Sequence, residues 1–195
     1  MEALEILRQP MEDAEVRISR TSGTYVFPAD FMLVASRNPC KCGYYPDREK
    51  CHCRERDVRR YLGRISRPVL DRIDIHVDAQ PMLFSELTGK QPEECSGEVR
   101  RRVARVHEVQ HVRYAGTAFR FNSDLAPSAL GQYCPLDEEE TAWMEQIYQQ
   151  KQLTARAYHR VLKVARTIAD LAGAEQIQME HLAEALLYRP SELLL

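Results

Sequence analysis

The chain contains 195 residues with a mass of 22.6 kDa, enough for one or two domains with a hydrophobic core. Its 44% hydrophobic and 29% charged residues are close to the globular average and exclude an intrinsically disordered chain. The formal net charge is -2, from 27 Lys and Arg against 29 Asp and Glu, so any basic surface must be local.

The N-terminal residues carry acidic side chains and an early Pro10, which is unlike a secretory signal peptide. The longest purely apolar run, Phe31–Ala35, is far shorter than a membrane helix requires. We therefore expect a cytoplasmic protein that does not enter the membrane. In that compartment thiols stay reduced, so the six cysteines indicate metal binding or reactive thiols before they indicate disulfides.

The first part of the chain has the pattern of an α/β structure. Residues Ala3–Arg8 have the spacing of a helix end, closed by Pro10. Two β-prone runs, Val16–Arg20 and Thr24–Phe27, flank a turn sequence and predict a hairpin. The apolar run Phe31–Ala35 lacks alternation, which predicts a strand covered on both faces in a mostly parallel sheet.

A further strand is predicted at Arg72–Asp78, where apolar and polar residues alternate strictly. After Gln80 the strand patterns stop and helical patterns begin. We place a domain boundary there, between residues 1–80 and 81–195.

Four helices are predicted beyond this boundary. Ser96 is the expected N-cap of the first, in which Val99, Val103, Val106 and Gln110 fall at helical spacing. The acidic first turn Asp137–Glu140 begins the second, which runs to about Gln150. Thr154 caps the third, which ends before Gly173 and carries the apolar stripe Tyr158, Val161, Leu162, Ala165, Ile168 and Ala169. The last helix has Met179, Leu182, Leu186 and Leu187.

Four cysteines form two C-x-C pairs separated by eight residues: Cys40, Cys42, Cys51 and Cys53. Four thiolates gathered by a polar loop can close a tetrahedral zinc site, which we favour over free thiols or redox-active pairs. His52 could replace one cysteine, although a solvent-facing position is the better expectation. Cys95 and Cys134 stand alone and are expected to be packing residues.

Polar residues at other positions have both functional and ordinary interpretations. Asn38 directly follows the predicted buried strand, where it either senses a ligand or starts a turn before Pro39. The segment from Arg54 to Arg72 contains seven arginines and three acidic residues, which suits phosphate binding or a solvated helix face. The same alternatives apply to a second basic stripe of Arg156, Arg160, Lys163 and Arg166.

Four segments together resemble the magnesium-chelatase-like AAA+ ATPases, and the resemblance extends from about residue 3 to about residue 190. These segments are Ile18–Arg20, Phe31–Cys42 (FMLVASRNPCKC), Tyr61–His76 (YLGRISRPVLDRIDIH) and Leu153–Leu171 (LTARAYHRVLKVARTIADL). Modules of this family have a Gly-rich phosphate loop and an acidic Mg²⁺-binding strand end, and this chain contains no GxxxxGK[ST].

The resemblance implies that the chain begins just after the acidic motif, as a C-terminal fragment of a longer protein. Its fold class would be α/β: a partial AAA+ nucleotide-binding core with few strands in an incomplete sheet (1–80), followed by an all-helical lid (81–195). The fragment alone is expected to show no ATP hydrolysis. The parent would bind ATP or ADP with Mg²⁺ and assemble into a homo-hexameric ring.

The resemblance also implies roles for single residues. Asn38 matches the sensor-1 residue that orients the attacking water. Arg72, in Leu70-Asp71-Arg72, matches the arginine finger that stabilises charge in a neighbouring subunit's site. Arg156, in Thr154-Ala155-Arg156, matches the sensor-2 arginine of the lid. The four-cysteine loop occurs in the same branch of the family, which supports zinc without giving its purpose.

Three functions compete at this point. For the competence-protein branch, the family implies that ATP hydrolysis drives DNA branch migration in recombination or transformation. The alternative is a zinc-stabilised module that binds nucleic acid or protein without catalysis. Metal insertion into a tetrapyrrole is a weaker third reading, because kinship of fold does not transfer substrate.

Overall fold

The computed structural model describes residues 2–80, 82, 84 and 94–190. The chain divides into two compact units, the first with the described residues up to Ile73 together with Pro190, and the second with Asp74–Arg189. Across the described residues, no helix combines the length and the apolar character that crossing a membrane demands.

The first unit contains one sheet in its described part, an antiparallel hairpin. Its strands are β1 (Glu15–Arg20) and β2 (Gly23–Pro28), with Glu15 opposite Pro28 and Arg20 opposite Gly23. The predicted hairpin is confirmed. The helices of this unit are α1 (Glu2–Glu5), α2 (Arg8–Asp13), α3 (Glu55–Leu62) and α4 (Arg67–Leu70).

The predicted end of the first helix is wrong. Pro10 lies inside the first turn of α2 and does not close a helix. The reason is that backbone N–H groups of a first turn have no partner within the helix, so the N–H that proline lacks costs nothing there. A left-handed Ala14, with φ of 53°, ends α2 and leads into β1.

The two predicted core strands do not form. Residues Phe31–Ala35 are not in a strand, and the side chains of Met32 and Val34 are 89% and 84% exposed. Residues Arg72–Asp78 form no strand either, and Ile75 and Val77, which the alternation places inward, are 54% and 73% exposed. Interior strands need hydrogen-bonded neighbours, and in the described chain the only two strands pair with each other.

The second unit is helical, as its pattern predicts. It contains α5 (Ser96–Arg113), α6 (Leu130–Tyr133), α7 (Glu138–Gln150), α8 (Ala155–Ala172) and α9 (Met179–Leu187), with 3₁₀ turns at Asn122–Asp124 and Pro127–Ala129. Two predicted helix starts are confirmed. Asp137 accepts hydrogen bonds from the backbone N–H of Glu139 and Glu140, and Thr154 accepts one from that of Ala157 at 3.1 Å. The cap of α5 is Cys95, one residue before the expected Ser96.

Helix α8 lies at the centre of the core of the second unit. Its predicted apolar stripe is confirmed, because Val161, Leu162, Ala165 and Ala169 are buried while Tyr158 and Ile168 pack at the edge. It ends at Gly173, whose φ of 75° is the left-handed conformation that glycine adopts without strain. In α9, Leu182 is buried as predicted, but Leu187 is 79% exposed. The other buried apolar members of this core are Tyr114, Leu125, Leu130, Cys134, Met144, Ile177 and Ala185.

Candidate metal centre and nucleotide-site residues

The loop between the two C-x-C pairs turns back on itself through local hydrogen bonds. The N–H of Gly43 donates to the carbonyl of Cys40 at 3.2 Å, and Gly43 has a φ of 87°, which glycine tolerates. The carboxylate of Asp47 accepts a hydrogen bond from the N–H of Glu49 at 3.0 Å. The backbone carbonyl of Asp47 accepts one from the N–H of Cys51 at 2.8 Å. These turns bring the second cysteine pair onto the first.

The thiols of Cys40, Cys42, Cys51 and Cys53 meet in one group, the four-thiol cluster, in which all Sγ atoms lie within 4.8 Å of one another. The Sγ atom of Cys42 is 3.2 Å from that of Cys40 and 3.6 Å from those of Cys51 and Cys53, and the four form no disulfide. Four sulfurs bound to zinc at about 2.3 Å stand about 3.8 Å apart in a tetrahedron. The donor set and its spacing therefore fit zinc.

The ionisation of the four-thiol cluster also suits a cation. Burial raises the pKa of Cys40, but hydrogen bonds from the backbone of Tyr45 and from Cys42 bring this pKa down to about 6. Burial, followed by the neighbouring thiol groups of Cys42 and Cys40, raises the pKa of Cys51 to about 11. The thiolate of Cys40 therefore forms more readily than that of Cys51. A bound divalent cation would supply the charge that lets all four ionise.

The four-thiol cluster is also the core behind α3. Cys40 and Cys51 are 0% and 5% exposed, and they pack together with Val58 of α3. Tyr45 and Leu62 cover the edges of this small core. A ligand that binds the four sulfurs would therefore also stabilise the position of α3.

The remaining sulfur and imidazole predictions have mixed outcomes. His52 is exposed and does not belong to the group of ligand atoms, in line with a solvent-facing position. Cys134 is 2% exposed, as a packing residue should be. Cys95 is exposed, so its predicted packing role is wrong; its backbone N–H donates to Glu98 of α5 at 3.1 Å.

The residues matched to nucleotide sensing are divided between the two units. Asn38 is exposed, two positions before Cys40. Arg72 follows α4, and its side chain is only 9% exposed, because it pairs with Glu12 and donates to the carbonyl of Pro68 at 2.7 Å. The Nε of Arg72 is buried without a hydrogen-bond partner in the described chain. Arg156 is exposed in the first turn of α8, in the second unit.

The basic stripe predicted on α8 is wrong for three of its four members. Arg160 pairs with Asp74, and its side chain is 17% exposed. Lys163 donates to the carbonyl of Ser123 at 2.8 Å. Arg166 is 2% exposed and donates to the carbonyls of Ala174 and Glu175. Arg156 alone of the four is exposed.

Sequence reasoning missed a buried polar network around Asp170, whose side chain is 0% exposed. Arg113 donates to its two oxygens at 2.7 and 2.5 Å, Asn122 donates at 2.9 Å and Arg166 at 3.1 Å. Burial alone would raise the pKa of Asp170, but the hydrogen bonds from Arg113 and Asn122 outweigh it and lower this pKa. The i,i+4 spacing of Arg166 and Asp170 on one helix is the sequence feature that indicates an ion pair here.

Two family models match consecutive parts of the chain and describe the same protein. Residues 1–87 match the model of magnesium chelatase, subunit ChlI, and residues 93–189 match that of its C-terminal part. The chain belongs to the magnesium chelatase ChlI family. Within this family it is 40% identical to the competence protein ComM of Haemophilus influenzae, over 95% of this chain and 36% of that protein.

Further relatives give the same coverage. The protein YifB of Salmonella typhimurium is 36% identical over 98% of this chain and 37% of its own length. A protein of Mycobacterium tuberculosis is 34% identical over 97% of this chain and 37% of its own length. The ChlI-family chain thus spans little more than a third of the curated relatives it matches, and a ComM-like segment fits these findings.

Proposed function

We propose that this chain is the sensor, arginine-finger and lid portion of a ring-forming AAA+ ATPase whose hydrolysis cycle drives DNA branch migration. The observation that carries the proposal is the pair of ChlI-family matches in the expected order, together with the 40% identity to a competence protein. The proposed assembly is a hexamer in the cytoplasm, and the phosphate loop would come from sequence outside these 195 residues.

In the proposed mechanism ATP is the substrate, and its Mg²⁺ supplies charge neutralisation at the phosphates. The side-chain amide of Asn38 orients the attacking water by hydrogen bonding. Arg72 enters the site of a neighbouring subunit and stabilises the charge that develops on the transferred phosphoryl group. Arg156 contacts the nucleotide from the lid and couples its state to the lid's position.

The ion pair between Arg72 and Glu12 adds a requirement to this mechanism. An arginine side chain that is 9% exposed and paired with a carboxylate cannot reach another subunit. Arg72 must leave Glu12 when a neighbouring site closes. We propose that the phosphate charge of that site replaces the carboxylate as the partner of Arg72.

We propose that the four-thiol cluster holds one zinc ion that stabilises the loop and α3. This centre favours the second candidate function, a zinc-stabilised nucleic-acid or protein binding module without catalysis. The binding module and the ATPase could both be present in a protein that has the full length of the relatives.

The test compares the chain with a protein that has the full length of its relatives. The longer protein is expected to hydrolyse ATP and to move the branch point of a labelled four-way DNA junction, whereas the chain alone should do neither. ATP turnover by the pure chain, abolished by Arg72→Ala, would refute the assignment of the phosphate loop to other sequence. A longer protein that hydrolyses no ATP would leave the binding module as the better account.

A further inference from the structure

The charge of the first unit is concentrated in one stretch of sequence. Residues 41–67 contain nine Lys and Arg against four Asp and Glu, a net charge of +5 in a chain whose total is -2. All nine cationic residues are exposed. A local excess of this size in a neutral chain attracts polyanions to one surface.

The four-thiol cluster fixes which face of α3 points to solvent. Val58 is 2% exposed because it packs on Cys40 and Cys51, so the opposite face of the helix is open. Arg56 and Arg60 share that face at i,i+4 spacing, and both are exposed. Neither makes an ion pair anywhere in residues 2–80, 82, 84 or 94–190.

Three neighbouring cations are compensated by acidic side chains, among them Lys50, which lies 3.4 Å from Asp47. Arg59 lies 3.8 Å from Glu55, and Arg48 also pairs with Glu55. Arg56 and Arg60 are two of the six cations of this stretch that make no ion pair with a described residue, and they share the open face of α3.

Aromatic side chains lie among these cations. Tyr44, in the loop between Cys42 and Cys51, is 55% exposed. The guanidinium of Arg48 lies 4.8 Å from the ring centre of Tyr45, and that of Arg64 lies 5.7 Å from that of Tyr61. Arginines interleaved with aromatic rings are typical of surfaces that track a nucleic-acid strand.

We propose that the open face of α3, with Arg56 and Arg60 at its centre, binds the phosphate backbone of DNA, and that the four-thiol cluster positions it. The proposal rests on DNA as the substrate of the proposed function and names the contact surface. Guanidinium groups fork onto phosphate oxygens. The cations lie along a helix and the loop before it, so the surface suits a strand better than a single nucleotide.

The test measures DNA affinity by fluorescence anisotropy of a labelled duplex, and of its labelled single strand, across a salt titration. Arg56→Gln combined with Arg60→Gln is compared with a matched control, Arg101→Gln combined with Arg105→Gln. The control pair is also exposed, lies at i,i+4 spacing on α5 and removes the same charge. Circular dichroism verifies that all variants fold.

The double variant of α3 is expected to bind the duplex about tenfold more weakly than the unmodified chain does. The slope of log affinity against log salt concentration should become shallower by about 1.8 for the duplex and by about 1.4 for the single strand. The α5 pair should leave both quantities near those of the unmodified chain. Equal losses in the two pairs, no binding of either probe, or displacement of the duplex by ATP as effective as by unlabelled duplex would each overturn the proposal. None of these outcomes bears on ATP hydrolysis in the longer protein, which is tested separately by the ATPase assay.

Discussion

Replacing Asp170 with Asn is expected to destabilise the helical second unit by more than any surface change. Asp170 accepts hydrogen bonds from Arg113, Asn122 and Arg166, and its own side chain is 0% exposed. Asn keeps the shape and one acceptor oxygen but removes the charge. Two guanidinium groups then remain in the core with no carboxylate between them.

The burial of the partners sets the magnitude. The side chain of Arg166 is 2% exposed and that of Arg113 is 21% exposed, so neither can be fully rehydrated without opening the core. Breaking one side of a buried ion pair costs about 3 to 5 kcal/mol. We expect the lower end, about 3 kcal/mol, because the amide oxygen still accepts one of the bonds.

The assay is urea unfolding followed by the fluorescence of Trp143, the only tryptophan of the chain, which packs against the core of the second unit. The matched control is Glu94→Gln, since Glu94 pairs with Arg102 at 2.7 Å with side chains 43% and 52% exposed. That change should cost less than about 1 kcal/mol. Equal effects of the two substitutions would refute the claim that Asp170 anchors the unit.

Two further outcomes are expected. Elemental analysis of the purified chain should find about one zinc per chain, and Cys51→Ser should remove it while Cys134→Ser should not; a well-folded, metal-free chain would contradict the centre. The pKa of Asp170 is lowered in the folded state. The contribution of its charge to the free energy of unfolding is therefore fully present above the unfolded pKa of about 3.9, and it is lost as pH falls through the folded pKa. The stability difference between the chain and Asp170→Asn should accordingly be constant from about pH 5 to 7 and shrink below about pH 4; a difference that persists at low pH would argue against a charge effect.

Local sequence signals predicted the parts of the fold that local interactions determine. The hairpin follows from two β-prone runs around a turn. The starts of α7 and α8 follow from Asp137 and Thr154, whose side chains satisfy N–H groups of the first turn. The four-thiol cluster follows from spacing and thiol chemistry, because short C-x-C pairs on a polar loop have few other stable arrangements.

The failures come from interactions that no local pattern contains. Phe31–Ala35 has the composition of an interior strand, but a strand needs a partner, and none of the described residues provides one. Arg166 has the spacing of a solvated stripe, yet its charge is buried because Asp170 and two carbonyls are within reach. The contact between Arg72 and Glu12 joins residues 60 positions apart and has no sequence signature.

The most direct test of the proposed ATPase role measures ATP binding and turnover by a protein with the full length of the relatives, carrying Arg72→Ala or Glu12→Gln. Both changes break the same ion pair, but only the first removes the guanidinium. We predict that Arg72→Ala binds ATP and has almost no turnover, whereas Glu12→Gln binds ATP and hydrolyses it at least as fast as the unmodified protein. Normal turnover in Arg72→Ala, or equal losses in both variants, would contradict the role of Arg72 as an arginine finger.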